Sequence, residues 1–187
     1  MTEHQPDHGI EGADDFFIGE SGTSMDYSAL SEIESLYHQL SDSFDEIENR
    51  EPARDNIVVL KPKERTELLE FYAVVHAHIE RVSACMLYED IAEKENREAE
   101  PTLKFFQEDL TQAKREELLF RAGLIDSGLK GEISKVKSVR NKLVHEQQNR
   151  MFVNLDNKTK SDIDRAYDAV TKLDERLNEL AGIDPDK

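Results

Sequence analysis

The chain has 187 residues and carries 24 Lys and Arg against 41 Asp and Glu, so its net charge is −17. This length fits a single domain of roughly 150 residues with a tail. The acidic excess argues against a general nucleic-acid binder, because the mean field of the protein repels phosphate. The single cysteine, Cys85, excludes an internal disulfide.

The first 24 residues contain six acidic residues, four glycines and no Lys or Arg. Such a segment has too little apolar surface to fold, so residues 1–24 are predicted to be a disordered acidic tail. No apolar run approaches the roughly 18 residues needed to span a bilayer. The chain also starts without the basic and apolar regions of a secretory signal. We therefore expect a cytoplasmic protein with no membrane partner.

Five amphipathic helices are predicted after the tail, because apolar residues recur there at steps of three and four. We expect these helices at about 26–49, 63–95, 101–122, 128–148 and 159–181. Short links between long amphipathic helices are typical of an up-and-down bundle. The expected fold class is therefore all-α, with one helical domain over residues 25–182.

One apolar run, Ile57-Val58-Val59-Leu60, lies between Pro52 and Pro62 and resembles a strand. The sequence offers no second strand to pair with it. We therefore expect an extended segment that packs on the helices.

Acidic residues are spread along the whole chain rather than gathered in one segment. This spread favours a halophilic surface, on which high salt screens the self-repulsion. An acidic protein that regulates a partner by mimicry is the alternative.

The fourth predicted helix differs from the rest of the chain in its charge. Between residues 130 and 150 there are six basic residues and two acidic ones, which gives 6 − 2 = +4. A local positive potential of this kind is what an anion site requires. The alternative is a solvated helix face that pairs with the acidic fifth helix.

Within this basic segment lies Arg140-Asn141-Lys142-Leu143-Val144-His145. Asn141 and His145 are four residues apart and share a face of the helix, whereas Arg140 and His145 are about 140° apart around its axis. One helix therefore cannot direct both side chains at one small ligand unless Arg140 folds back. Two copies of the helix meeting at a two-fold axis would line one cleft with both residue types.

These residue types suit RNA cleavage without a metal ion. An imidazole can take a proton from a ribose 2′-hydroxyl or give one to the leaving 5′-oxygen. A guanidinium can bind the scissile phosphate and stabilise its added charge. A structural role is also coherent, because the helix dipole favours a protonated His145 near a C-terminus and Arg140 can pair with a carboxylate.

The stretch Glu117-Leu118-Leu119-Phe120-Arg121-Ala122-Gly123-Leu124-Ile125-Asp126, followed by a helix ending in Val139-Arg140-Asn141-Lys142-Leu143-Val144-His145, resembles the HEPN superfamily. In that family a helix and a Gly-Leu-Ile turn precede a helix bearing Arg-Asn-x-x-x-His. The architectural likeness covers roughly residues 63–180, and its specific part is 117–145. The acidic tail and the first helix fall outside it.

The resemblance implies a bundle of four or five helices that forms a homodimer. For many members it also implies a metal-independent endoribonuclease, in a toxin–antitoxin pair or an anti-phage system. Arg140 and His145 would be the catalytic pair, with Asn141 as the third polar residue. The candidates for contacts to the RNA phosphates are lysines of the same helix, Lys135, Lys137 and Lys142.

No cofactor is implied, and the expected partners are RNA, a second copy of the chain and a nucleotidyltransferase-like antitoxin. Other members of the family have lost activity. The alternative function is therefore a catalytically silent module that binds a protein, RNA or nucleotide.

Three further residues are not expected to carry chemistry. His76 and His78 lie two apart on a predicted helix and point about 200° apart, so they cannot chelate one metal ion. His76 falls in an apolar stripe and is expected to be a core histidine with its hydrogen bonds satisfied. Cys85, in the same helix, is expected to be a small buried residue rather than a nucleophile.

Overall fold

The computed structural model describes residues 18–19, 22–23, 27–53, 56–91, 100–146, 152–154 and 158–182. Within them the chain is an all-α bundle, as the sequence predicts. Its helices are α1 (Tyr27–Glu48), α2 (Pro62–Ile91), α3 (Glu100–Lys104), α4 (Gln112–Arg121), α5 (Ser127–His145) and α6 (Lys158–Ala181). None of these helices is both long and apolar enough to cross a membrane.

Helix α2 is the centre of the bundle and contacts α1, α4, α5 and α6. Residues 82–88 of α2 are consecutively buried, so neighbouring elements cover this part of the helix on every side. Its largest fully buried side chains include Phe71, Tyr72, Ile79 and Met86. The helix that carries the candidate motif, α5, therefore packs against the most buried element of the described fold.

A short antiparallel pair, β1 (Ile18–Gly19) with β2 (Gly22–Thr23), precedes the bundle. Both strands fall in the segment 1–24 that was predicted to be a disordered tail. The rest of that segment lies outside the described residues, so its disorder stays a prediction.

A second antiparallel pair joins β3 (Ile57–Val59) to β4 (Phe152–Asn154), with Val58 opposite Val153. The expectation that the apolar run 57–60 has no partner strand was wrong. Its partner is only three residues long, which is too short to show an alternating pattern in the sequence. This pairing links the connector before α2 to the connector before α6.

The third predicted helix, 101–122, was also wrong, because the chain breaks there into two pieces. α3 continues into one π-helical turn at Phe105–Asp109, and α4 begins after an extended Leu110. The buried Arg115 compensates for the break, since its Nη1 donates to the carbonyl oxygens of Phe106, Gln107 and Leu110 at 2.9, 3.0 and 2.6 Å. Carbonyl groups that a continuous helix would bond internally are thereby satisfied.

The break also rotates the face that α4 buries. Leu118 is 37% exposed, whereas Leu119 is fully buried. The other buried side chains of α4 are polar or charged, namely Gln112, Arg115 and Glu116. Helix α4 therefore presents charged groups, and not an apolar stripe, to the interior beside α2.

Candidate functional site

The turn before α5 is fixed by backbone hydrogen bonds on both sides. Gly123 has a positive φ of 76°, which a side chain would strain, and it ends α4. Beyond it, the Leu124 N–H donates to the Leu119 carbonyl oxygen at 3.0 Å, as in a Schellman motif. Asp126 then caps α5, because its Oδ1 accepts from the Leu129 N–H at 2.8 Å. The predicted helix stop at Gly123 is confirmed, and these caps set where α5 begins.

Arg140 lies on the stripe of α5 that faces the bundle. This stripe also contains Ile133, Val136 and Leu143, all buried. Arg140 is half-buried, and its Nη1 donates to Oδ1 of the neighbouring Asn141 at 3.1 Å. In the part of the chain that the structure describes, its guanidinium makes no ion pair with a carboxylate. The simple structural role considered for Arg140, neutralisation by an acidic neighbour, therefore has no support there.

His145 is the last residue of α5, and it is exposed. Asn141, one turn earlier, is half-buried on the same side of the helix. Arg140 and His145 are not brought together within one chain, because the first faces the bundle and the second faces outward. This arrangement agrees with the separation of about 140° expected from the helical geometry.

The basic residues of α5 fall into two groups. In the first half, Lys130 Nζ lies 2.5 Å from Glu117 Oε2, and Lys135 forms an ion pair with Asp162 of α6. The cations of the second half are Lys137, Arg140 and Lys142, and they form no ion pair with a described residue. The alternative of a helix face paired with acidic neighbours thus holds for the first half alone. No described carboxylate therefore pairs with the cations around the motif.

His76 of α2 lies close enough to the motif to feel its charge. Burial lowers the pKa of its imidazole, the nearby Glu80 raises it, and Arg140 and Lys137 lower it further. Nδ1 lies 3.5 Å from Glu80 Oε2, whereas Nε2 is buried and has no hydrogen-bond partner among the described residues. The expectation that this histidine is fully satisfied in the core was therefore wrong.

Two side chains of α4 complete the polar surroundings of His76. Arg115 Nη2 lies 3.2 Å from Glu80 Oε1, so the same carboxylate serves both residues. Glu116 Oε2 accepts from the Ser134 hydroxyl of α5 at 2.7 Å, and no described residue bonds its other oxygen, Oε1, which is buried. Sequence reasoning missed this polar group, because only the i, i+4 spacing of His76 and Glu80 is visible without knowing how the helices pack.

The second histidine of α2 is fully engaged. His78 Nε2 lies 2.8 Å from Asp174 Oδ2 of α6, and both side chains are buried. Nδ1 of His78 accepts from Arg81 Nη2 at 3.1 Å, which places the ring proton on Nε2, facing the carboxylate. His76 and His78 thus face different neighbours, as predicted from their spacing.

No group of three or more potential metal-ligating side chains occurs among the residues that the structure covers. Cys85 is buried in α2, and burial raises the pKa of its thiol to about 12. It therefore stays protonated at neutral pH and is a poor nucleophile. Its predicted role as a buried small residue is confirmed.

No protein-family model matches this chain, and no curated protein and no solved structure is significantly similar to it. A function for this chain is therefore inferred from its own residues.

Proposed function

We propose that the protein is a metal-independent endoribonuclease of HEPN type that acts in the cytoplasm in a toxin or defence system. Arg140 and His145 are the catalytic pair, and Asn141 orients Arg140. The observation that carries the proposal is an arginine near a helix end that bears a histidine; among the described residues this arginine is bonded to an amide oxygen and not to a carboxylate. A guanidinium in that state still has its full charge available for a phosphate.

The reaction is an internal transfer at phosphorus. His145 takes the proton of a ribose 2′-hydroxyl, the 2′-oxygen forms a bond to the phosphorus atom, and the bond to the 5′-oxygen breaks. The partner's His145, in its protonated form in the proposed dimer, supplies the proton that the 5′-oxygen requires. The products are a 2′,3′-cyclic phosphate and a 5′-hydroxyl. Arg140 stabilises the charge that accumulates on the phosphate oxygens.

A homodimer supplies the geometry that one chain lacks. Arg140 faces the bundle and His145 faces outward in one chain, so a single α5 cannot place both on one phosphate without moving Arg140. A second copy of α5 related by a two-fold axis would bring another His145 and another Arg140 to the same cleft. Lys137 and Lys142 then contribute positive potential along the RNA, while Lys135 is already paired with Asp162.

The test is an RNA-cleavage assay at high KCl with EDTA, comparing the wild type with Arg140→Ala and His145→Ala. We expect cleavage in the wild type and a loss of at least about a hundredfold in each variant, the scale set by general acid–base groups. His38→Ala is the matched control, because His38 is an exposed histidine on α1 far along the chain from the motif. An RNA with a 2′-deoxy nucleotide at the cleavage site should resist the wild type. Cleavage that persists in both motif variants would remove the mechanism.

The second candidate function is a catalytically silent HEPN-type module that binds a protein, RNA or nucleotide. The separation of Arg140 from His145 within one chain favours it, since a module of this kind needs no joint site. It predicts a stable dimer, no cleavage, and binding that survives both alanine substitutions. A neighbouring gene for a nucleotidyltransferase-like antitoxin would favour the ribonuclease instead.

A further inference from the structure

An exposed phenylalanine lies at the end of α4, beside the first turn of α5. Phe120 is 40% exposed, and Lys130 Nζ of α5 lies over its ring at 4.8 Å from the centroid. In this position a cation is attracted by the negative face of an aromatic ring. The ring is therefore fixed between two helices while a large part of it stays open to solvent.

The turn after α4 orders the backbone that carries this ring. The Gly123 N–H donates to the carbonyl oxygen of Phe120 at 3.1 Å, and the Leu124 N–H donates to that of Leu119 at 3.0 Å. Leu119, directly before the exposed ring, is fully buried and anchors the end of the helix in the core. A ring on an ordered backbone loses little conformational entropy when a planar ligand stacks on it.

Three charged side chains form a connected group beside the ring. Glu117 accepts from Lys130 Nζ at 2.5 Å and from Arg121 Nε at 2.6 Å, so two cations share one carboxylate. The group has a net charge of 2 − 1 = +1 in a chain of net charge −17. Burying these charges under an apolar protein surface would be costly, whereas a nucleic-acid strand is compatible with a positive group.

One face of α5 connects this ring to the candidate motif. Lys130, Asn141 and His145 follow at steps of eleven and four residues, which keeps them within about 60° around the helix axis. Lys130 and Asn141 are about 16 Å apart along the axis, at 1.5 Å per residue. A single strand with one phosphate at the motif therefore reaches Phe120 with a base a few nucleotides away.

We propose that Phe120 is a stacking platform for one base of a single-stranded RNA whose cleaved phosphate lies at Arg140 and His145. Lys130 supports one face of the ring, and the base stacks on the part that is open to solvent. Because Lys130 is already paired with Glu117, this end of α5 contributes stacking more than a phosphate contact. Every base has a π face, so the platform adds affinity without reading sequence. The inference rests on the proposed function for the identity of its ligand.

The first test uses tryptophan fluorescence, because the chain contains no tryptophan of its own. Phe120→Trp places one indole at the platform, and Phe105→Trp places one at a 47% exposed position of the π-helical turn. Each variant is titrated with a single-stranded RNA of about 12 nucleotides, carrying 2′-O-methyl groups that prevent cleavage. The anisotropy of a labelled copy of this RNA reports binding.

We expect the emission of Phe120→Trp to be quenched at saturation and that of Phe105→Trp to stay unchanged, since only the first indole stacks on a base. Equal quenching in the two variants, or no quenching in Phe120→Trp, overturns the inference. Failure of the RNA to bind overturns it as well.

The second test compares affinity with its salt dependence. Phe120→Leu keeps an apolar side chain and removes the π system, so the Kd for the same RNA should rise about tenfold. Phe120→Tyr should keep the wild-type Kd, and Phe105→Leu is the matched control. The slope of log binding constant against log salt should not change in Phe120→Leu, because stacking releases no counterions. An unchanged Kd or a reduced slope in Phe120→Leu overturns the inference.

Sedimentation of Phe120→Leu tests the other occupant of an exposed ring, a second copy of the chain. We expect the same assembly state as in the wild type. A shift toward monomer with unchanged RNA affinity would place the ring in a protein interface and overturn the inference.

Cleavage separates this inference from the proposed function. In an active enzyme Phe120→Leu should raise KM about tenfold with little change in kcat, because the stacked base is remote from the bond that breaks. A chain that binds RNA with quenching in Phe120→Trp but cleaves none loses its proposed function and keeps the platform. A chain that cleaves RNA with KM unchanged in Phe120→Leu keeps its function and loses the platform.

Discussion

His76 and His78 are two residues apart on α2, yet their surroundings differ in kind. His78 is enclosed, with Asp174 on one ring nitrogen and Arg81 on the other. His76 has a carboxylate beside one nitrogen, and its other nitrogen is buried with no partner in the part of the chain that the structure describes. On the same helix, His78 thus forms a closed contact between α2 and α6, whereas the contacts of His76 toward α4 and α5 are left open.

This difference separates polar groups that hold the fold from polar groups available for function. A closed network stabilises the fold, so its removal costs stability. It also has no spare donor or acceptor that could bind a ligand. An open network is costly to the fold and is explained more readily by a role at a site. The polar group of His76, Glu80 and Glu116 belongs to the second kind.

The largest effect on stability is expected for Asp174→Ala. Both partners of the His78–Asp174 contact are buried, so removing the carboxylate strands a buried imidazole N–H. We expect the free energy of unfolding, measured with urea, to fall by about 3 kcal/mol. Asp168→Ala, at an exposed position of the same helix, should change it by less than about 0.5 kcal/mol. Equal effects at both positions would show that the closed contact is not a stabilising one.

Two arginines of neighbouring helices give the next contrast. Arg115 is buried and donates to three carbonyl oxygens, so Arg115→Met should cost about 2 kcal/mol. Arg140 is half-buried without an ion pair to a described residue, so Arg140→Met should leave the unfolding free energy unchanged or raise it by up to about 1 kcal/mol. RNA cleavage should nevertheless vanish in Arg140→Met. Destabilisation as large as in Arg115→Met would make Arg140 a structural residue.

A smaller, pH-dependent effect is expected from His76. Burial lowers the pKa of His76 below its ordinary value of 6.5, so the unfolded chain binds the proton more readily. Stability from this group is therefore complete above pH 6.5 and is lost as the pH falls through the folded-state pKa. The urea midpoint should drop less in His76→Gln than in the wild type between about pH 7 and pH 5. His38→Gln should follow the wild type; if His76→Gln does so too, His76 is not the titrating group.

The helices that bury an apolar stripe were predictable from the sequence, and those that bury charge were not. Periodicity located α1, α2, α5 and α6 to within a few residues of their described ends. It failed over 101–122, where a continuous apolar period conceals the break that Arg115 stabilises. A hydrogen bond from a side chain to distant carbonyl oxygens leaves no periodic signal.

The candidate site divides in the same way. Arg140, Asn141 and His145 were found because they form a local pattern, and helical arithmetic gave the angle between them. The closeness of His76 and Glu116 to α5 was missed, because it arises only from the packing of α2 and α4. No spacing along the chain encodes that proximity.

The smallest effect, and the sharpest matched comparison, lies between two lysines of α5. Lys135 pairs with Asp162, and solvent screens this partly exposed contact, so Lys135→Met should cost no more than about 0.5 kcal/mol. Lys137 has no ion pair to a described residue, so Lys137→Met should change stability even less.

RNA affinity should instead fall more in Lys137→Met than in Lys135→Met. Lys135 is paired with Asp162, whereas Lys137 has no described carboxylate partner and can contact a phosphate with its full charge. The slope of log binding constant against log salt, measured by fluorescence anisotropy, should decrease by about 0.7 per single-stranded phosphate contact in Lys137→Met and hardly at all in Lys135→Met. Equal slopes in the two variants would mean that the charge of α5 acts as a whole and that ion pairing does not select the lysines that face the RNA.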